Sequence, residues 1–256
     1  MLILDIRAIG DINLKYLIPE TEIQKIENAL YIVPTPIGNL KDITLRALEV
    51  LSNVNLIAAE DTRKSRILLN HYKIENELIS FYSHNEEVRI PQILEKLKNG
   101  NSVALVSDAG TPGISDPAYS LIRELIIQNI KIIPLPGATA FVPTLIASGL
   151  ITRSFVFEGF LTIKKGRKTK LEDLKNEKRT IVFYESPHRI IKTLEDLFEN
   201  FGDRKIVVAK EITKFFEEFF RGKISEVLNQ LKTRTIKGEF VIVVEGLPYK
   251  DIDIKD

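Results

Sequence analysis

From residue 30 onward, short apolar runs alternate with amphipathic stretches, and this rhythm predicts alternating strands and helices. Leu30-Tyr31-Ile32-Val33, Leu56-Ile57-Ala58-Ala59, residues 78–82, Val103-Ala104-Leu105-Val106 and residues 130–135 read as five buried strands. Between them, Leu45/Leu48/Leu51, Ile67/Leu68/Tyr72, Ile90/Ile93/Leu94/Leu97 and the 119–127 stretch recur at helical spacing. A further helix runs to about Ala147. Asp42 or Thr44 is placed to cap the first helix, and Asp116 with Pro117 reads as an N-cap followed by a first-turn proline. Near-continuous apolar strands separated by helices define an α/β domain with a largely parallel sheet.

A boundary is expected over residues 149–154. Beyond it, strands are expected at 155–160, 181–184, 206–209, 215–220 and 241–244, and helices at 171–174, from Pro187 through Leu197, and at 224–231. Shorter strands, some of them antiparallel, suggest a second α/β lobe. The expected layout is an N-terminal extension over 1–29, one lobe over 30–150, a second over 151–247 and a tail over 248–256. Residues 1–29 read equally as an extension from an upstream start codon or as an extra packed element. No internal repeat is visible beyond the two lobes.

In a parallel sheet, ligands sit outside the carboxyl ends of the strands. The segments there are Thr35-Pro36-Ile37-Gly38-Asn39, Glu60-Asp61-Thr62-Arg63, Ser83-His84-Asn85-Glu86, residues 107–117, Pro136-Gly137-Ala138-Thr139, residues 184–189 and residues 210–213. All are small or polar, whereas the strands before them are apolar, a contrast that favours a ligand cleft between two lobes. The longest, from Ser107 to Pro117, holds two glycines and two prolines. It cannot be a core element, because Pro112 and Pro117 would break ladder pairing. No Gly-x-Gly-x-x-Gly follows the first strand and no P-loop is present, so neither a dinucleotide nor a triphosphate is favoured.

Composition narrows the chemistry. There is no cysteine, which excludes disulfides and thiolate metal sites and points to the cytoplasm. No two of the three histidines, His71, His84 and His188, share a helical i, i+4 spacing, so no metal site is expected. A net charge of +1 argues against a uniformly basic surface but not against a local patch. Such a patch exists at Lys164, Lys165, Arg167, Lys168 and Lys170, expected as a loop. No apolar run reaches the length of about 18 residues that would span a bilayer.

Several segments resemble one family. Leu30-Tyr31-Ile32-Val33 with Thr35-Pro36-Ile37-Gly38-Asn39-Leu40, Ala59-Glu60-Asp61-Thr62-Arg63, Ser83-His84-Asn85-Glu86, residues 107–117, Pro136-Gly137, Phe183-Tyr184-Glu185-Ser186-Pro187-His188-Arg189 and Gly238-Glu239-Phe240-Val241 resemble the ribosomal RNA small-subunit methyltransferase I family, the RNA-acting branch of the tetrapyrrole methylases. The resemblance runs from about residue 30 to residue 246. It leaves out residues 1–29, and the chain stops where some members carry a further basic helical segment. It implies a class III methyltransferase fold of two α/β lobes with the cofactor cleft between them, S-adenosyl-L-methionine as cofactor, and a homodimer. The implied reaction is 2′-O-methylation of a cytidine ribose in small-subunit (16S) ribosomal RNA, free or in the assembled subunit.

By the same resemblance, Asp108, Ala109, Gly110, Thr111, Ile114 and Ser115 cradle the donor, with Pro36, Gly38, Thr139, Ala140, Tyr184 and Phe240 around it. The base that takes the hydroxyl proton is expected among Asp61, Glu185, Lys210 and Glu211, with Arg63 and Arg189 anchoring flanking phosphates. His188 and the 164–170 stretch are expected to track RNA. Two other readings stand beside this one: a small-molecule tetrapyrrole C-methyltransferase, and a non-catalytic S-adenosylmethionine-binding regulator.

Overall fold

A computed structural model describes residues 26–247. The expectations for residues 1–25 and 248–256 lie outside the described residues. The chain divides into two compact units that meet in sequence at Ala138 and Thr139.

The first unit contains β1 (Leu30–Ile32), α1 (Leu45–Asn53), β2 (Leu56–Ala59), α2 (Thr62–His71), β3 (Leu78–Ser80), α3 (Glu86–Lys98), β4 (Val103–Val106), α4 (Tyr119–Ile127) and β5 (Ile132–Pro134). The strands form one parallel sheet in the order β3-β2-β4-β1-β5. Alternation along the strands sends Tyr31, Ile57, Ala59, Ala104 and Val106 to one face, under Leu48 and Leu51 of α1 and Leu69 of α2. Leu30, Leu56, Ala58, Val103 and Leu105 point to the other, under Ile93 and Leu97 of α3 and Leu121 and Leu125 of α4. The sheet is buried on both faces, which is why its strands read as unbroken apolar runs. Thr44 caps α1 by accepting the Ala47 amide at 3.1 Å, which decides between the two expected caps.

The second unit contains α5 (Phe141–Ile146), β6 (Phe155–Phe160), α6 (Arg167–Leu174), β7 (Thr180–Glu185), α7 (Ile190–Phe201), β8 (Lys205–Lys210), β9 (Glu218–Lys223), α8 (Ile224–Lys232) and β10 (Phe240–Val244). Its sheet runs β6-β7-β10-β8-β9, and only the β6/β7 pair is parallel. Helices α6, α7 and α8 cover one face through Leu171, Leu194, Leu197 and Val227, while Leu145 of α5 packs with Val182, Val207, Val241 and Val243 on the other. That packing is why the break between units precedes α5, whereas the sequence placed it after residue 150.

Several expected boundaries move. Helix α4 starts at Tyr119, not at Asp116/Pro117, because the Asp116 carboxyl turns to Ser107 instead of capping a helix. Helix α7 begins at Ile190, not at Pro187, because the amides of Arg189 and Ile190 both donate to the Ser186 carbonyl at 3.1 Å and close a turn first. The basic stretch is helical from Arg167 onward, and β9 starts at Glu218, leaving Phe215 and Phe216 in a loop.

Candidate active site

In the first unit, β1 and β4 are neighbours whose crossovers leave in opposite directions. Helix α1 carries the chain from β1 past β4 to β2 on one face, and α4 carries it from β4 past β1 to β5 on the other. This is the switch point where an open α/β sheet leaves a crevice at its carboxyl edge. There the main chain ties the loops together. Thr35 and Gly110 exchange two amide–carbonyl hydrogen bonds, both 2.9 Å, in an isolated antiparallel bridge. The Thr35 hydroxyl also donates to the Ser107 carbonyl at 3.3 Å, and the Thr111 hydroxyl donates to the Ala138 carbonyl at 3.1 Å, linking the loops after β1, β4 and β5. Gly110 lies at φ +84°, a left-handed conformation that allows the loop to double back onto Thr35. Gly137 passes so close to Pro34 that a Cβ would lie 2.5 Å from the proline ring.

The same edge is acidic. Glu60 accepts the Asp108 amide at 3.1 Å, and Asp108 accepts the Asp61 amide at 3.0 Å, a reciprocal clasp between the ends of β2 and β4. Lys64 pairs with Asp108 at 2.5 Å. Burial, together with the neighbouring Glu60 and Asp108 charges, pushes the Asp116 carboxyl up to about 6, although its hydrogen bond to Ser107 works the other way. Asp61 behaves oppositely. Hydrogen bonds from the Arg63 side chain (3.0 and 2.7 Å) and the Arg63 amide hold it down at about 2. Asp61 is also the N-cap of α2, so the pair does local structural work while the Arg63 guanidinium stays exposed. Pro36 and Gly38 lie in the turn after β1, where the Asn39 side chain caps the single turn Leu40–Asp42. Ala109, Ile114 and Ser115 lie on the 107–117 loop, with Ala109 and Ser115 exposed.

The edge of the second sheet is built differently. Glu185, Phe240, Lys210 and Glu218 stand in one row across β7, β10, β8 and β9, and Phe160 sits beside Tyr184 on β6. Sequence-distant candidates are thus brought to one edge, but not all are available for substrate. Glu185 is buried, and its carboxylate accepts the Ser186 amide (2.7 Å) and the Thr193 hydroxyl (2.6 Å) and pairs with Arg189 (2.7 Å). It is a positioning group for Arg189, not an accessible base. Arg167 is also turned inward: it donates to Asp196 (2.8 Å), Thr193 (2.9 Å) and the Thr162 carbonyl (3.1 Å). Arg167 therefore anchors α6 to α7 and is not free for the RNA contact expected of it, whereas its neighbours Lys164, Lys165 and Lys168 are exposed. Lys170 pairs with Glu158 at 2.6 Å. Phe240 belongs to the core beneath α7 and α8, so its side chain is not exposed for the donor contact expected of it.

Tyr184 lies on the opposite face from Glu185, half-buried between Phe157 and Phe160 at ring-centroid distances of 5.1 and 5.6 Å. Arg189 stacks over the Phe160 ring at 5.9 Å and donates to the Leu161 carbonyl at 3.1 Å. Glu211 accepts the Glu239 amide (2.9 Å) and the Lys214 ammonium (2.8 Å). Burial pushes its carboxyl up, but those two donors outweigh burial and leave it below the ordinary range. Lys210, half-exposed at the end of β8, makes no ion pair among the described residues. Thr139 does not cap α5, whose N-cap is Ala140 without a side-chain bond. His84 and His71 are exposed, and the described residues contain no cluster able to hold a metal ion and no helix long and apolar enough to cross a membrane. Sequence reasoning missed Lys64 as the partner of Asp108, Asp116 as its like-charged neighbour, and the Phe215-Phe216 pair. The last had no local signal to separate it from Phe219-Phe220, an identical pair that lies within β9.

The family model for tetrapyrrole (corrin/porphyrin) methylases matches residues 29–228, which defines the class of the protein. Solved structures agree at the level of fold. A cobalt precorrin-4 methyltransferase of cobalamin biosynthesis superposes with a TM-score of 0.64 at 20% identity, covering 90% of this chain and 98% of that one. A uroporphyrin-III C-methyl transferase from Thermus thermophilus, complexed with S-adenyl homocysteine, gives a TM-score of 0.59 at 17% identity over 84% and 96% of the two chains. Sequence relatives are much nearer. Proteins named ribosomal RNA small subunit methyltransferase I are 48% identical in Halalkalibacterium halodurans (86% of this chain, 76% of the relative), 50% in Buchnera aphidicola (89% and 81%) and 48% in Thermotoga maritima (85% and 98%). The chain belongs to the ribosomal RNA small subunit methyltransferase I family.

Proposed function

We propose that this chain transfers a methyl group from S-adenosyl-L-methionine to the ribose 2′-oxygen of a cytidine in small-subunit ribosomal RNA, acting in the cytoplasm as a homodimer. The observation that carries the reading is the main-chain-tied loop system at the β1/β4 switch point, in a chain about half identical to relatives named for this RNA. The residues fit the donor. Glu60, Asp108 and Asp116 at the carboxyl edge, countered by Lys64, suit a cationic sulfonium and ribose hydroxyls better than a phosphate. Bound, the donor supplies an already activated methyl, so the protein's task is alignment of two reactants and acceptance of one proton.

In this reading Asp108 and the 109–115 backbone hold the donor, with Pro36, Gly38, Thr139, Ala140 and Tyr184 as further contacts. Arg63 and Arg189 face RNA phosphates, with His188, Lys164, Lys165 and Lys168. Of the four groups considered as base, Glu185 is sealed and Asp61 and Glu211 are held by cations, which leaves Lys210 as the group without an ion pair among the described residues; it can take the proton only as the neutral amine, not as the ammonium. Single alanine variants assayed at saturating donor rank them: Lys210→Ala should lose the most turnover, and equal turnover in all four would remove the assignment. The reaction itself is tested by incubating small subunits lacking ribose methylation, and free rRNA alongside, with labelled S-adenosylmethionine. Label at one cytidine 2′-oxygen is expected. Label only on a tetrapyrrole, or donor binding without transfer to any RNA, would replace this function with one of the two other readings.

A further inference from the structure

The loop between β8 and β9 presents two adjacent phenylalanines to solvent. Phe215 is 94% exposed and Phe216 is 69% exposed, and their rings pack edge-to-face with centroids 4.9 Å apart. Exposed aromatics on a mobile loop would carry little information, but this loop is over-determined. Glu211 and Thr213 adopt positive φ (53° and 67°), which a non-glycine residue keeps only where its surroundings enforce it. The Thr213 amide donates to the Glu217 carboxylate at 2.5 Å, the Lys214 amide to the Glu211 carbonyl at 3.0 Å, and the Glu217 amide to the Lys214 carbonyl at 3.1 Å. The Lys214 ammonium bridges Glu211 and Glu239 at 2.8 and 2.9 Å, while Arg234 holds Glu218 at 2.5 Å. These internal pairs tie up the loop's charges. What remains at the tip is two aromatic faces on a rigid mount.

The loop shares an edge of the second sheet with the other features that suit RNA. Strand pairing places the ends of β6, β7 and β8 and the starts of β9 and β10 along that edge. Phe160, half-exposed and stacked by Arg189, leads into Lys164 and Lys165 at the β6 end, and Phe215-Phe216 stand at the β8/β9 end. At strand spacing the two aromatic features are roughly 15 to 20 Å apart along the edge, the reach of a few unpaired nucleotides. Unpaired RNA is recognised by splaying its bases onto aromatic side chains and arginine planes, with cations following the backbone.

We propose that Phe215 and Phe216 form a base-stacking site for an unpaired stretch of the substrate RNA. The site lies on the edge that carries Phe160, Arg189 and the 164–168 lysines, and the proposal rests on the RNA-methyltransferase reading above. Methyl transfer to undermethylated small subunits by the full chain tests it. The F215S/F216S double variant should raise KM for the subunit roughly 10- to 100-fold, leaving KM for the donor unchanged. Because both side chains are solvent-facing, its melting temperature should match wild type. Tyr at both positions should restore the KM, and Leu at both should not, since stacking needs a π-face and not merely an apolar one. Rescue by Leu, or a change of oligomeric state in the Ser variant by sedimentation, would overturn the proposal in favour of a protein contact. An unchanged KM in the Ser variant, with active wild type, would overturn the stacking site alone. A wild type that methylates no RNA would overturn the function reading and the site with it.

Discussion

The two sheet edges are both made of strand-end loops, yet they are held by different means and offer different chemistry. At the first sheet the loops are tied largely through the main chain, by the Thr35–Gly110 bridge and by the Glu60 and Asp108 carboxylates gripping backbone amides. At the second, side chains tie to side chains: Glu185 to Arg189 and Thr193, Arg167 to Asp196, Lys214 to Glu211 and Glu239. The first edge is acidic, a chemistry that suits a small cationic donor. The second exposes lysines and phenylalanines, a chemistry that suits a nucleic-acid polymer. Ties to the backbone hold the first edge with few side chains, chiefly the Glu60 and Asp108 carboxylates. Ion-pair ties, by contrast, use up the charged residues that sequence reasoning had reserved for substrate.

The largest effect should fall on the side-chain-tied edge. Removing the Glu185 carboxylate takes away the counter-charge of Arg189 and the acceptor of the Thr193 hydroxyl in a mostly buried network, so Glu185→Ala should cost about 3–5 kcal/mol in chemical denaturation. A loss under about 1 kcal/mol would show the network to be dispensable. On the other edge, Gly137→Ala forces a methyl against the Pro34 ring, with an expected loss of about 1–3 kcal/mol, readable as a shift in denaturation midpoint.

The basic stretch separates the two uses of charge within a few residues. Replacing Lys164, Lys165 and Lys168 together by Ala should lower the slope of log affinity for RNA against log salt by about 2, since each single-strand phosphate contact contributes about 0.7. Arg167→Ala should leave that slope unchanged and lower the melting temperature, because its partners are Asp196 and Thr193. The smallest effect is a pH dependence at the acidic edge. With its carboxyl raised to about 6, Asp116 keeps its proton in the folded state where the unfolded chain has lost it. Stability should therefore fall as pH rises from about 4 to 6 and stay low above. Asp116→Asn should flatten that fall and gain on the order of 1 kcal/mol at pH 7, with solvent screening allowed for. Asp61, held at about 2, acts in the opposite sense: its contribution is lost only as pH drops below about 4.

Strand and loop positions in the first unit were legible because a parallel sheet buried on both faces writes its strands as continuous apolar runs, and every polar interruption marks a strand end. The β2 and β4 ranges match residue for residue. Tertiary partners were not legible. Nothing local distinguishes Arg167 from Lys168, although one reaches Asp196 across α7 and the other faces solvent. Phe240 follows a polar loop and yet belongs to the core, because it begins the central strand of the second sheet. The Asp116-Pro117 pair carries every local mark of a helix start. The helix begins later because the strand-end acidic cluster claims the carboxyl.

The division of labour between the edges can be tested by steady-state methyl transfer with donor and RNA varied separately, comparing wild type, Asp108→Asn and the triple lysine variant. The account predicts that Asp108→Asn raises KM for S-adenosylmethionine and leaves KM for the subunit unchanged, while the lysine variant does the reverse. If Asp108→Asn raised KM for RNA, or the lysine variant raised KM for the donor, the assignment of one edge to each substrate would be contradicted.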